Sequence, residues 1–230
     1  MFLPLSAWIN ATHRLPKRFL VDNHQDQFDE TWLCWVVLEQ VADLHKVNEL
    51  NWVSLTASRV ATKKYLNKSE KVLGSIDEDG WLDKEEGCWI REELGEPPHP
   101  CLPIYIITVG SDETERVVYV GKTKSASRFT GGHSTALKLH APEYDGLKKS
   151  IYRCSVWFDI DDEYVAIDWV EPESLALDLF DSVESQLIYD LQPELNVDKR
   201  KKLTGKCLLD SIHIQNLSST EILNDHFVNA

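Results

Sequence analysis

The chain has 230 residues, a formal net charge of −14, 43% apolar residues and eight tryptophans. It can build a packed core in one or two domains, its 27% charged fraction speaks against a disordered chain, and its acidic balance argues against a broad nucleic-acid-binding surface. No apolar run approaches the about 18 residues of a membrane span, and residues 1–20 carry their basic groups after a short apolar start, the wrong order for a secretory leader. Five scattered cysteines with no Cys-x-x-Cys pair speak against a zinc cluster or a disulfide framework, so the expected location is the cytoplasm.

The first predicted element is an amphipathic helix over Asp29–Leu50, with Trp32, Trp35, Val36, Leu38 and Val41 or Ala42 recurring at three to four and Asp29 or Thr31 as its cap. Helices over Leu55–Tyr65 and Ser69–Ile76 follow. The run IDEDGWLDKEEGCWI then offers Asp-Gly and Glu-Gly turns for a hairpin. Helices followed by a hairpin suggest a winged helix, with Arg59, Lys63, Lys64, Lys68 and Lys71 on the reading helix. The alternative is a helical accessory domain whose lysines form a solvated face. The proline-rich EPPHPCLP, Glu96–Pro103, marks a domain boundary, dividing the chain into 1–98 and 99–230.

Downstream, Ile104–Val109 and Val117–Val120 read as strands joined by the turn GSDETER into an antiparallel hairpin. A short helix over Ser134–His140, a strand over Ser150–Ile160 and a helix over Ser174–Leu191 complete the pattern, with Pro193 ending the last. Charge is uneven along this half. Arg116–Pro142 has five basic residues and no acid, Cys154–Asp198 has thirteen acids and no Lys or Arg, and Lys199, Arg200, Lys201 and Lys202 then follow together. Such local basic regions on an acidic body can hold a phosphodiester; the plainer alternative is solvated faces of mixed sign.

The triplet Gly121-Lys122-Thr123 ends the second strand like a phosphate-binding loop. A Walker loop needs a glycine five residues earlier. That position holds Arg116, and Val117–Val120 are strand formers, so the loop is excluded.

With Tyr105 in Pro103-Ile104-Tyr105 and Tyr119 in Tyr119-Val120-Gly121 placed on paired strands, the segment resembles the GIY-YIG nuclease family. Pro103-Ile104-Tyr105 matches the first element with proline for glycine, and Tyr119-Val120-Gly121 the second with valine for isoleucine. Lys122 follows the glycine, Arg128 and His133 stand near the family's arginine and histidine, and VESQLIYDLQPELN matches the helix with a metal-binding glutamate and its Pro-x-x-Asn ending, at Glu184 and Asn196. The resemblance covers about 102–198, and residues 158–173 are an acidic insertion in it. It implies an α/β (α+β) fold, a small antiparallel sheet flanked by helices and here preceded by a mainly helical N-terminal domain.

The resemblance further implies a DNA endonuclease using Mg²⁺ or Mn²⁺. Tyrosine, with a pKa of about 10, needs a nearby cation to act as a base. Lys122 or the bound metal would supply that charge, Tyr105 would hold or deprotonate the water, and Tyr119 would support it. Arg128 would grip the phosphate, His133 would donate to it or assist the water, Glu184 would bind the metal, and Asn196 would fix the glutamate or the backbone around it, or cap the chain after Pro193. For each tyrosine the alternative is packing on the sheet face. RNA or branched DNA as substrate, a homodimer or a partner protein, and a noncatalytic binding or assembly protein on the same scaffold all stay open.

Overall fold

In the computed structural model, which describes residues 4–15, 32–50, 53–77, 79–123, 134–160 and 163–229, the run WLCWVVLEQVAD forms a twelve-residue strand, β1 (Trp32–Asp43). This corrects the helix expected over Asp29–Leu50. Trp32, Cys34, Val36 and Leu38 are buried on one face, a period of two, and an irregularity in the pairing between Leu38 and Gln40 breaks the alternation further along. A short apolar run of aromatic and β-branched residues matches helix and strand templates alike, and its partners decide between them.

Those partners lie far away in the chain. β1 pairs antiparallel with β4 (Lys149–Ile160) and parallel with β6 (Leu209–Asn216). On the other edge of β4, β2 (Ile104–Val109) covers its first half, and β5 (Glu163–Ala166) pairs with its end. With β3 (Arg116–Lys122) beyond β2 and β7 (His226–Asn229) beyond β6, the sheet is mixed, seven-stranded and ordered β3-β2-β4-β1-β6-β7, with β5 beside β4. Helices flank it, making the molecule α+β. The expected small antiparallel sheet is thus larger and mixed, because β1 and β6 join it.

Five helices accompany the sheet among the described residues: α1 (Pro4–Ile9), α2 (Leu55–Leu73), α3 (Lys84–Leu94), α4 (Ser134–Lys138) and α5 (Glu173–Leu191). The two helices expected within 55–76 are one continuous α2, started by the Ser54 side chain accepting from the Ala57 amide at 3.1 Å. The second half of the hairpin expected over 76–90, from Lys84 on, is α3 instead. Asp83 and Glu86 form a reciprocal capping box with two 2.8 Å bonds, which satisfies the first-turn donors and outweighs the Glu-Gly turn signal. The hairpin on which the winged-helix expectation rested is therefore replaced by a helix, and Arg59 is buried against the protein rather than presented outward.

The acidic stretch before α5 explains that burial. Arg59 donates to the Val170 carbonyl at 2.5 Å and pairs with Glu171 at 2.6 Å, and Lys63 meets the same carboxylate at 2.6 Å. Ser58 donates to the buried Asp168, and Glu163 pairs with Arg14 at 2.6 Å. This stretch is thus a docking strip for α2, and its Val165, Ala166, Ile167, Trp169 and Val170 join the same core as Trp8, Leu55 and Leu179. Residues before and after the proline-rich segment share one sheet and one core.

Burial pushes the Asp168 carboxyl above its ordinary range, against the lowering effect of Ser58 and Arg59. A raised folded-state pKa means that ionisation opposes folding once pH exceeds the unfolded value of about 3.9. Asp168→Asn keeps an acceptor for Ser58 and leaves Arg59 paired with Glu171. Relative to the parent it should gain stability as pH rises from 4 to 8, and the gain should vanish toward acid, read by urea denaturation across about pH 4 to 8.

Candidate active site

The β2–β3 hairpin sets Tyr105 opposite Gly121 and Ile107 opposite Tyr119. Residues two apart on a strand share a face, so Tyr119 and Gly121 point the same way, and the two tyrosine rings meet over the glycine with centroids 5.9 Å apart and planes inclined by 31°. A Cβ at Gly121 would lie 2.5 Å from both Cζ and Oη of Tyr105 and 2.7 Å from Cε1 of Tyr119. Close approach of the rings therefore demands the glycine of Tyr-x-Gly. Exposure separates the pair: Tyr105 is fully buried among Val47, Leu139, Tyr144 and Ile151, while Tyr119 is half-buried at the margin of that cluster. Proline at 103 fits the start of β2, since its carbonyl accepts from Thr123 at 3.0 Å and closes the hairpin without needing an amide of its own.

β3 is the last strand of the sheet order, and the segment Pro193–Asn196 runs along it. Arg116 donates to Glu194, the Leu195 amide donates to the Val118 carbonyl at 2.9 Å, and Asn196 takes both backbone groups of Val120. Its Oδ1 accepts from the Val120 amide at 2.9 Å and its Nδ2 donates to the Val120 carbonyl at 2.8 Å. The contacts fall on residues 116, 118 and 120, the strand period. Asn196 therefore anchors the strand carrying Tyr119. Glu194 also accepts from the Tyr144 hydroxyl at 2.9 Å. Burial, reinforced by that carboxylate, pushes the Tyr144 phenol up to about 12, whereas the bonds from Arg116 and Tyr144 outweigh partial burial and draw the Glu194 carboxyl below its usual range.

Glu184 sits on α5 with 8% of its surface exposed. Its Oε2 receives Lys199 Nζ at 2.5 Å and lies 3.3 Å from Lys122 Nζ. Lys122 also pairs with Asp181, one helical turn before Glu184, and stands 5.5 Å over the Phe180 ring. Alternation along β3 puts Val120 and Lys122 on the α5 side, where Val120, Phe180 and Val183 share a core cluster. The tyrosine pair occupies the other face. Lys122, expected to serve Tyr119, thus sends its ammonium to the carboxylates of α5.

The structure therefore gathers the named residues into two groups, one on each face of β3, with Asn196 holding the strand between them. Arg128 and His133 lie outside the described residues. Lys199 and Asp181 were missed by sequence reasoning. Asp181 carried the signal of sharing a helix face with Glu184, whereas Lys199 reaches back only because the chain turns after Asn196 through a left-handed backbone at Lys199, φ 69°. Hard oxygen donors come from Glu184 and Asp181; no group of three or more His, Cys, Asp or Glu able to hold a metal occurs among the described residues. Comparison of the chain with family models, curated proteins and solved structures gives no match.

Asn196→Ala leaves the buried amide and carbonyl of Val120 without these partners and should cost about 1–3 kcal/mol. Asn196→Asp should fare no better, because a carboxylate can accept from the Val120 amide but repels its carbonyl. Chemical denaturation of the two variants beside the parent checks both.

Proposed function

We propose that the chain is a divalent-metal-dependent DNA endonuclease of the GIY-YIG kind. The observation that carries this reading is the tyrosine pair closed over Gly121, on a strand tied by Pro193–Asn196 to the end of the helix that bears Glu184. Packing alone would accept phenylalanines in such a pair.

Glu184 and Asp181 would hold Mg²⁺ or Mn²⁺. The donor set fits: hard ions favour carboxylate oxygens, and one positive charge, the Lys122 ammonium, already rests against both groups. A bound ion would neutralise charge on the phosphate and on the leaving oxygen. Tyr119 and Tyr105 lie on the face of β3 opposite Glu184 and would serve this site by fixing the strand that carries Lys122, while the attacking water would be held on the Glu184 face. Arg128 would grip the phosphate and His133 would assist, as the resemblance implies. Lys122 and Lys199, released from Glu184, would face the phosphate. One site cuts one strand per encounter, so double-strand cleavage would require a homodimer or sequential nicking.

A second reading, a noncatalytic binding or assembly protein on this scaffold, is favoured by one observation: two ammonium groups already occupy the Glu184 carboxylate. Supercoiled plasmid with Mg²⁺ or Mn²⁺ separates the readings. The nuclease should relax it, and Glu184→Gln should lower the rate by about 100-fold or more, the scale of losing one centre of transition-state charge stabilisation. A parent inert on plasmid, branched DNA and RNA with both metals sinks the nuclease reading, as does a Glu184→Gln variant of parental rate. Lys199→Met should lower the Mg²⁺ concentration needed for half-maximal nicking, because one competing cation is gone; an unchanged midpoint would show that Lys199 does not compete.

A further inference from the structure

On a chain of net charge −14, the segment KRKKLTGK, residues 199–206, holds five cations and no acid. It is pinned along α5 rather than left as a loose loop. The Thr204 amide donates to Ser185 Oγ at 2.9 Å and the Cys207 amide to Ser182 Oγ at 3.0 Å, while Gln192 holds the Arg200 carbonyl at 2.8 Å. A Cβ at Gly205 would meet Ser182 Oγ at 2.5 Å and its Cα at 2.6 Å, so the backbone lies directly on the helix.

The acids of α5 beside this segment form one stripe, Asp178, Asp181 and Glu184, spaced by three. Each is paired: Asp178 with Lys206 at 2.8 Å, Asp181 with Lys122, and Glu184 with Lys199 and Lys122. The stripe therefore carries no surplus negative charge. Between the pinned ends, Lys201 and Lys202 are exposed and make no ion pair with any described residue, and Arg200 Nε is buried without a hydrogen-bond partner. The result is a ridge held against α5, preceded by the exposed Asp198, that starts beside Glu184 and keeps surplus positive charge at Lys201 and Lys202.

We propose that residues 199–206 dock the phosphodiester backbone of a duplex and deliver it to the Glu184 side of the site, with Lys201 and Lys202 as the phosphate-contacting residues. This deepens the nucleic-acid reading above and does not require cleavage. Closely spaced cations held against the helix match the regular phosphates of a duplex, and the acidic net charge of the chain disfavours contact over a broad surface.

The test is anisotropy of a fluorescein-labelled, mixed-sequence DNA duplex with the full chain in EDTA, titrated from about 50 to 200 mM salt, where each phosphate contact contributes about 0.9 to the slope of log K against log salt. Lys201→Ala/Lys202→Ala should reduce the slope by about 2 and weaken binding at the lower salt by about tenfold. Lys68→Ala/Lys71→Ala, on the exposed face of α2, should leave the slope unchanged. The proposal is overturned if the Lys201/Lys202 variant keeps the parental slope, if the α2 variant carries the loss instead, or if the parent does not bind the duplex. A chain that binds through the ridge yet nicks no plasmid sinks catalysis and leaves the ridge standing.

Discussion

The carboxamide of Asn196, closed on both backbone groups of Val120, couples the two halves of the candidate site. An edge strand presents unpaired amides and carbonyls, and β3 is such a strand, bearing Tyr119 on one face and Lys122 on the other. The Pro193–Asn196 segment satisfies part of that edge at the strand's own period. Because it continues directly from α5, the strand cannot shift relative to Glu184 without breaking a buried two-bond contact. The tyrosine pair, the glycine beneath it and the lysine–carboxylate cluster all take their relative positions from this junction.

Charge pairing follows a similar logic elsewhere. In the acidic segment before α5, Glu171 pairs with Arg59 and Lys63 and Glu163 pairs with Arg14, which joins α2 and the N-terminal residues to the sheet. The acidic stripe of α5 is consumed by Lys122, Lys199 and Lys206. A net charge of −14 thus coexists with a local positive ridge, since net charge describes the whole surface and recognition depends on where the unpaired charge lies.

The hairpin, the helix with Glu184 and the Pro-x-x-Asn ending were legible because each has a local cause: β-branched runs around a polar turn, an apolar stripe at helical spacing, and a proline that stops a helix. Trp32–Asp43 was not legible. Its apolar spacing suits a helix, and its strand state is imposed by β4, more than a hundred residues away, and by β6. The α3 segment was misread for a different reason, because the Asp83–Glu86 capping box competed with turn signals in the same few residues. Among the site residues, the meeting of Tyr105 and Tyr119 on a hairpin could be expected, although only the register shift between Ile107 and Thr108 sets them on one face. Lys199 could not, since its contact with Glu184 depends on a chain reversal of left-handed backbone.

The sequence by itself determined which side chains could do chemistry and which neighbours along one strand or helix share a face, because strand and helix periods are local geometry. Only the tertiary structure decided that the tyrosines and Glu184 flank opposite faces of one edge strand, that Lys122 turns to α5, and that the 199–206 segment lies on the helix bearing Glu184. Those relations depend on which distant strands pair and which buried polar groups find partners, and no spacing within the chain encodes them.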